Sequence, residues 1–269
     1  MNNQASPPNA PLDENQRVYA DPSVVGFYKT QREPHAAERV VFERLAEELP
    51  KSRVLDLGIG SGRTTAFLVP RSKEYVGVDI SAPMVEAARQ EFAALGARLE
   101  VADARALPYD DASFDLVVFS YNGIDYVDHA DRLRILCEAK RVLRPGGHFF
   151  FSTHNLARSD LPFETLRGGF LAKALGVFRR ARLRRHNPDW RAFASSAHAL
   201  VRDGAYRFRL TTYHIRVEAQ LAQLVDAGFS TELILGRDGR EVSRANTDVL
   251  DDAWFHLVCQ PRDANGGRQ

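Results

Sequence analysis

Val54-Leu55-Asp56-Leu57-Gly58-Ile59-Gly60-Ser61-Gly62-Arg63-Thr64-Thr65 decides how this chain is read. An apolar run suited to a strand enters three glycines at alternate positions and leaves into a helix-forming run. Glycines so placed let the backbone turn sharply and present its N–H groups where a Cβ would block a ligand. A nucleotide-like ligand is expected at such a turn. The dinucleotide fingerprint is spaced G-x-G-x-x-G. Here the third glycine arrives one residue early, at Gly62, and Arg63 follows it. Asp56, two positions before Gly58, would repel a pyrophosphate and suit a ligand that carries an ammonium group.

Further segments follow in order. Tyr75-Val76-Gly77-Val78-Asp79-Ile80-Ser81 ends in an acid about 20 residues past the glycines, the distance of two parallel strands joined by one helix. Leu99-Glu100-Val101-Ala102-Asp103-Ala104, Phe114-Asp115-Leu116-Val117-Val118-Phe119-Ser120 and Leu143-Arg144-Pro145-Gly146-Gly147 complete the series. Over roughly residues 50 to 154 this resembles the class I S-adenosylmethionine-dependent methyltransferases, in particular small-molecule bacterial members. Ile59 departs from the small residue or cysteine more usual there. The fold that the resemblance implies is α/β: a seven-stranded Rossmann-like methyltransferase sheet, mostly parallel with an antiparallel last strand, plus an inserted lid segment.

Composition agrees. A chain of 269 residues can bury a sizeable core, and its net charge of +1 gives no overall drive toward nucleic acid or membrane. No apolar run approaches a membrane span, and no signal-like layout opens the chain, so a cytoplasmic setting is expected. Cys137 in a helical pattern and Cys259 in a strand pattern read as buried thiols.

The expected organisation is a disordered tail over 1–15, a helical cap over 16–50, the cofactor core over 51–154, an inserted acceptor lid over 155–214, the C-terminal part of the core over 215–260, and a tail over 261–269. Pro34 opens a helix running to Pro50, with Val40, Val41, Leu45 and Leu49 at helical spacing. Ser81 can cap a helix that carries Pro83, Met84, Ala87, Ala88 and Phe92 and closes at Gly96. Helices over Ala130–Val142 and Val217–Ala227, and strands over His148–Thr153, Phe229–Leu235 and Ala253–Cys259, complete the core.

The segment Asn155–His214 is individual. Gly168–Asn187 carries Lys173, Arg179, Arg180, Arg182, Arg184 and Arg185 and no acid, interleaved with Phe170, Leu171, Ala174, Leu175 and Phe178. One reading is a lid helix with its apolar stripe on the domain and its charges in water. Another is contact with an anionic substrate, a phosphate or a membrane surface. Tyr206–Tyr213 alternates as an added strand would.

The resemblance implies S-adenosyl-L-methionine as cofactor. Asp56 would draw the methionyl ammonium through water, and Gly58, Gly60 and Gly62 would let the backbone approach. Asp79 would accept both ribose hydroxyls, Asp103 the adenine amino group, and the Ala104 N–H would meet the ring. Tyr28, Arg63, Ile80, Met84 and Ser120 complete the expected cofactor set. Methyl transfer needs no covalent intermediate; it needs an acceptor held in line and water excluded. Sites lie beyond the carboxyl ends of strands in such sheets, which selects Tyr121, Asn122 and His154 as catalytic candidates. Tyr19, Asp125, Asn155, Tyr213 and His214 are candidates for binding the acceptor. No metal site is expected, and His148, His129, His186, His198 and His256 lack motif support. The expected reaction is methylation of a nitrogen or oxygen on a small molecule of sugar or secondary-metabolite type. Two alternatives stay open: methylation of RNA or protein through the basic segment, and a non-catalytic protein that binds the cofactor.

Overall fold

The computed structural model describes residues 10–158 and 170–262. Strands β1 (Arg53–Leu57), β2 (Glu74–Asp79), β3 (Arg98–Val101), β4 (Phe114–Phe119) and β5 (Leu143–Asn155) form a parallel sheet in the order β3-β2-β1-β4-β5. Two further strands of the insertion, β6 (His198–Val201) and β7 (Thr212–Ile215), precede β8 (Phe229–Leu235) and β9 (Trp254–Pro261). β9 lies antiparallel to β5, with Phe151 opposite Leu257, and β8 lies antiparallel to β9. The expected seven strands are therefore present, with β9 the reversed one.

Side-chain alternation along these strands builds two apolar layers. Leu55, Val117, Phe149 and Phe151 face one layer, where Ile135 and Leu136 of α6 (His129–Val142) and Leu224 of α8 (Val217–Asp226) cover them. Val54, Leu116, Val118 and Phe150 face the other, under Val41 and Phe42 of α3 (Ala36–Arg44) and Val85 and Ala88 of α5 (Ala82–Phe92). Each such side chain contributes roughly 1.5–3 kcal/mol by leaving water. Helix α4 (Arg63–Leu68) follows the glycine turn directly.

β6 and β7 form an antiparallel pair that extends the sheet only at the carboxyl end of β5. His154 pairs with His214 of β7 on one edge and Trp254 of β9 on the other, so β7 takes the edge that β4 leaves after Phe119. The expected strand over Tyr206–Tyr213 is thereby corrected. Tyr206, Arg207 and Phe208 have φ of 46°, 61° and 66°, and β7 begins only at Thr212. A strand would turn Tyr206 and Phe208 to one face. Instead Tyr206 packs with Tyr28, while Phe208 packs on Leu183 and stacks 4.2 Å from His186.

Other boundaries shift for local reasons. The helix expected to reach Pro50 ends at Arg44, and Leu49–Lys51 form a separate 3₁₀ turn. Ser81 sits at the N-cap of α5, yet its side chain makes no capping bond. β5 begins at Leu143, and its Pro145-Gly146-Gly147 forms an irregularity where the β4 register slips between Phe114 and Leu116. Cys137 is exposed rather than buried; Cys259 is buried.

The tail expected over 1–15 is helical from Ala10: α1 (Ala10–Tyr19) and α2 (Pro22–Lys29) lie over the sheet's carboxyl ends. Asn15 is fully buried; its amide donates to Thr211 O at 2.8 Å and its Oδ1 accepts from Thr211 N at 3.1 Å. The N-terminal cap and the insertion are thus clasped together. Helix α7 (Phe170–His186) carries the basic run. The expectations for residues 1–9, 159–169 and 263–269, and for the side chains of Phe170, Leu171, Lys173, Ala174, Leu175 and Arg179, lie outside the described residues. Phe178 points to solvent, at 67% exposure, so it does not join a stripe packed on the domain.

Candidate active site

The glycine turn is left-handed three times, at Gly58, Gly60 and Gly62 (φ 63°, 56° and 94°). Their roles differ. A Cβ on Gly62 would stand 2.1 Å from Phe92, and one on Gly58 2.6 Å from Phe119, so those two let the turn pack. A Cβ on Gly60 would meet only Tyr28, at 3.7 Å; here the space above the backbone is open. Asp79, at the end of β2, holds this turn: Oδ2 accepts from Gly60 N and Oδ1 from Ser81 N, each at 2.8 Å. The Ile80 N–H also favours the charged form of this carboxylate, which keeps acceptor capacity for a further donor. Burial pushes this carboxyl above its ordinary range.

A cleft opens above the turn. Of the expected cofactor set, Tyr28, Gly58, Gly60, Arg63, Asp79, Ile80, Met84, Asp103, Ala104 and Ser120 line it. Asp103 does so while Arg105 grips its carboxylate at 2.6 Å. Asp56 and Gly62 do not line the cleft. Asp56 is buried beneath the turn, where its Oδ2 accepts from the Tyr75 hydroxyl at 2.8 Å. Burial pushes its carboxyl up to about 7. Its Oδ1 has no partner among the described residues.

Arg63 is also buried, and the reason was hidden from its own motif. Glu38 on α3, fully buried, forms a two-pronged ion pair with it, and Arg63 Nη2 also donates to Ser120 Oγ at 3.1 Å. Asn15, Tyr126, Leu12 and Gln16 line the cleft as well and were not anticipated. Tyr19, Tyr28, Tyr121 and Tyr126 make an aromatic wall, with ring centroids 5.1 to 6.3 Å apart.

The catalytic and acceptor candidates divide. Tyr121 and Tyr19 line the cleft. Asn122, Asp125, His154, Asn155, Tyr213 and His214 stand outside its wall. Tyr121 and Asn122 both take left-handed φ (53° and 60°), and this turn directs the Asn122 amide to His154 Nε2 at 3.3 Å. His154 Nδ1 pairs with Asp125 Oδ2 at 2.7 Å. Asp125, fully buried, also accepts from His154 N, Thr153 Oγ1 and the guanidinium of fully buried Arg132. Four donors occupy its acceptor sites, and it lies outside the cleft wall. Asn155 is likewise engaged, donating to Leu250 O and accepting from Ala157 N. Tyr213 contacts His129 at 2.7 Å, and His214 stacks on His154 at 4.6 Å. Arg132 signals nothing in its own stretch of sequence; only the fold brings it to Asp125 and to Gln220 and Gln223 of α8.

Residues 54–147 match the methyltransferase domain family. This part of the chain is a class I S-adenosylmethionine-dependent methyltransferase domain, and S-adenosylmethionine is the cofactor that goes with it. The chain is 37% identical over 131 residues to a malonyl-[acyl-carrier protein] O-methyltransferase of Marinomonas sp., covering 46% of this chain and 47% of that one. It is 36% identical over 148 residues to a sarcosine/dimethylglycine N-methyltransferase of Halorhodospira halochloris, covering 51% and 52%. It thus spans about half the length of the curated relatives it matches. The fold resembles that of a Burkholderia thailandensis 1,6-didemethyltoxoflavin-N1-methyltransferase with bound 1,6-didemethyltoxoflavin and S-adenosylhomocysteine. That likeness has a TM-score of 0.61 at 14% identity, over 98% of this chain and 94% of that one. No described helix is long and apolar enough to cross a membrane.

Proposed function

We propose that this protein transfers a methyl group from S-adenosylmethionine to a nitrogen or oxygen of a small molecule of sugar or secondary-metabolite type. The observation that carries this reading is the Asp79–Gly60 cradle opening on a cleft roofed by tyrosines. When bound there, the cofactor supplies a methyl on a sulfonium leaving group. Asp79 would accept from the ribose hydroxyls, and Ala104 and Asp103, which also line the cleft, would meet the base. Tyr19, Tyr28, Tyr121 and Tyr126 exclude water and hold the acceptor by aromatic contact.

His154 is the proton acceptor in this proposal. Its Nδ1–H is committed to Asp125, which leaves the lone pair at Nε2 and requires Asn122 to face it with its NH₂. The Asn122 Oδ1, buried and unpartnered among the described residues, is then available to a donor on the acceptor. The acceptor reaches His154 past the Tyr121–Asn122 turn, displacing the long contact to Asn122. Relatives that share the core are named for both O- and N-methylation, and a base at His154 serves an acceptor that is a hydroxyl or an ammonium. Incubation of the protein with tritiated cofactor and a metabolite extract tests the reading. Label in an extractable small product is expected; label confined to protein or RNA, or none, contradicts it.

A further inference from the structure

We propose that helix α7 is a docking face for the surface of an anionic lipid bilayer. The inference rests on charge segregation and on one exposed helix face, and not on the methyl-transfer reading. Residues 170–216 hold eleven Lys and Arg against two Asp, a net +9. Since the whole chain is +1, the remainder carries −8. Such polarity within one chain marks an anionic surface as partner.

Part of this positive charge is neutralised internally. Arg202 pairs with Glu14 at 2.7 Å and Arg209 with Asp21 at 3.4 Å. The described arginines of α7 differ: Arg180, Arg182, Arg184 and Arg185 make no ion pair with a described residue. Arg182 lies over the Phe208 ring at 5.1 Å and Arg184 over Trp190 at 4.4 Å. These contacts place the guanidiniums without cancelling their charge.

The outward face of α7 is not only cationic. Leu183 faces inward, buried on Phe208, and that fixes which side meets solvent. On the solvent side Val177 and Phe178 are 59% and 67% exposed, one to two turns before the exposed Arg182, Arg184 and Arg185. A phosphate backbone would match the arginines and leave Val177 and Phe178 in water. A bilayer accommodates both, with apolar side chains at the acyl boundary and guanidiniums at headgroup level.

Co-sedimentation of the whole protein with phosphatidylglycerol-containing and pure phosphatidylcholine vesicles tests this. Binding only to the anionic vesicles is expected. Replacing Arg182, Arg184 and Arg185 together by Ala should weaken it about a hundredfold, at roughly fivefold per cation near an anionic surface. Val177→Ser with Phe178→Ser should weaken it by about tenfold more than a charge-only contact allows. In both variants the affinity for S-adenosylhomocysteine and the circular dichroism should stay unchanged, which separates lost docking from lost fold. Equal binding to both vesicle types, or to neither, would overturn the proposal. So would salt-sensitive capture of single-stranded RNA without vesicle binding, or salt-reversible self-association that accounts for the charge.

Discussion

His154 Nδ1 lies 2.7 Å from the Oδ2 of Asp125, and the same carboxylate holds the guanidinium of Arg132 on its other oxygen. The imidazole is therefore fixed in ring orientation and tautomer by a buried chain that starts on α6. His154→Ala should lower kcat by about a hundredfold, the lower range for losing a general base, and leave cofactor affinity intact. Asp125→Asn should lower kcat in the same sense by releasing the tautomer. Steady-state kinetics of both variants check this; full activity of His154→Ala would reduce the network to a structural role.

Gly60 and Gly62 share a left-handed backbone but should fail differently. Gly62→Ala drives a methyl against Phe92 and should appear as a fall in melting temperature, with overpacking costing ~1–3 kcal/mol. Gly60→Ala meets no such wall and should cost only the left-handed strain, about 1–2 kcal/mol. Its new methyl faces the cleft, so its signature is a loss of S-adenosylhomocysteine affinity. Thermal melts beside calorimetric titrations separate the two; matched effects on both readouts would contradict the assignment.

Asp56 makes stability depend on pH. In the folded chain burial lifts its carboxyl from 3.8 to about 7. Between those values the folded state holds a proton that the unfolded chain has released, so this group lowers stability as pH rises, and the loss is complete above about pH 7. At about 1.4 kcal/mol per unit the swing is on the order of 4 kcal/mol. Asp56→Asn should abolish it. Urea unfolding near pH 4 and near pH 8 should show the variant gaining on the parent as pH rises; a constant difference would contradict a buried neutral carboxyl.

Glu38 works in the opposite direction. Burial pushes its carboxyl up, but Arg63 outweighs this and holds it below its ordinary range. That contribution is present above the unfolded carboxyl's titration and is lost as pH falls through the folded one. Glu38→Ala would leave the Arg63 guanidinium buried without its partner, at a cost of ~3–5 kcal/mol. Denaturant unfolding at neutral pH checks it; a loss well below 1 kcal/mol would mean that the pair is solvated.

The nucleotide-binding half of this molecule was legible because its signals are local. Alternate glycines, an acid at a strand end and apolar runs of strand length each carry their meaning within a few residues. Much of the other half is not local. Glu38 meets Arg63 across 25 residues, and Asn15 meets Thr211 across 196. Asn15 lies in a polar stretch that reads as a tail because its partners are in the insertion. The alternation of Tyr206–Tyr213 misled because aromatic and basic residues alternate there to satisfy two different clusters, one on each side of a left-handed turn. The Asp125–Arg132 pair is not legible either, because nothing near Asp125 in sequence announces Arg132.

The central claim is that the Asp79–Gly60 cradle holds the ribose of S-adenosylmethionine. Calorimetric titration of the parent and Asp79→Ala with S-adenosylhomocysteine tests it most directly. The parent should bind saturably, and the variant should lose ~1.5–3 kcal/mol, the worth of hydrogen bonds to a charged acceptor, which is roughly ten- to a hundredfold in affinity. Unchanged affinity in a folded Asp79→Ala protein, or no affinity in the parent, would contradict the account.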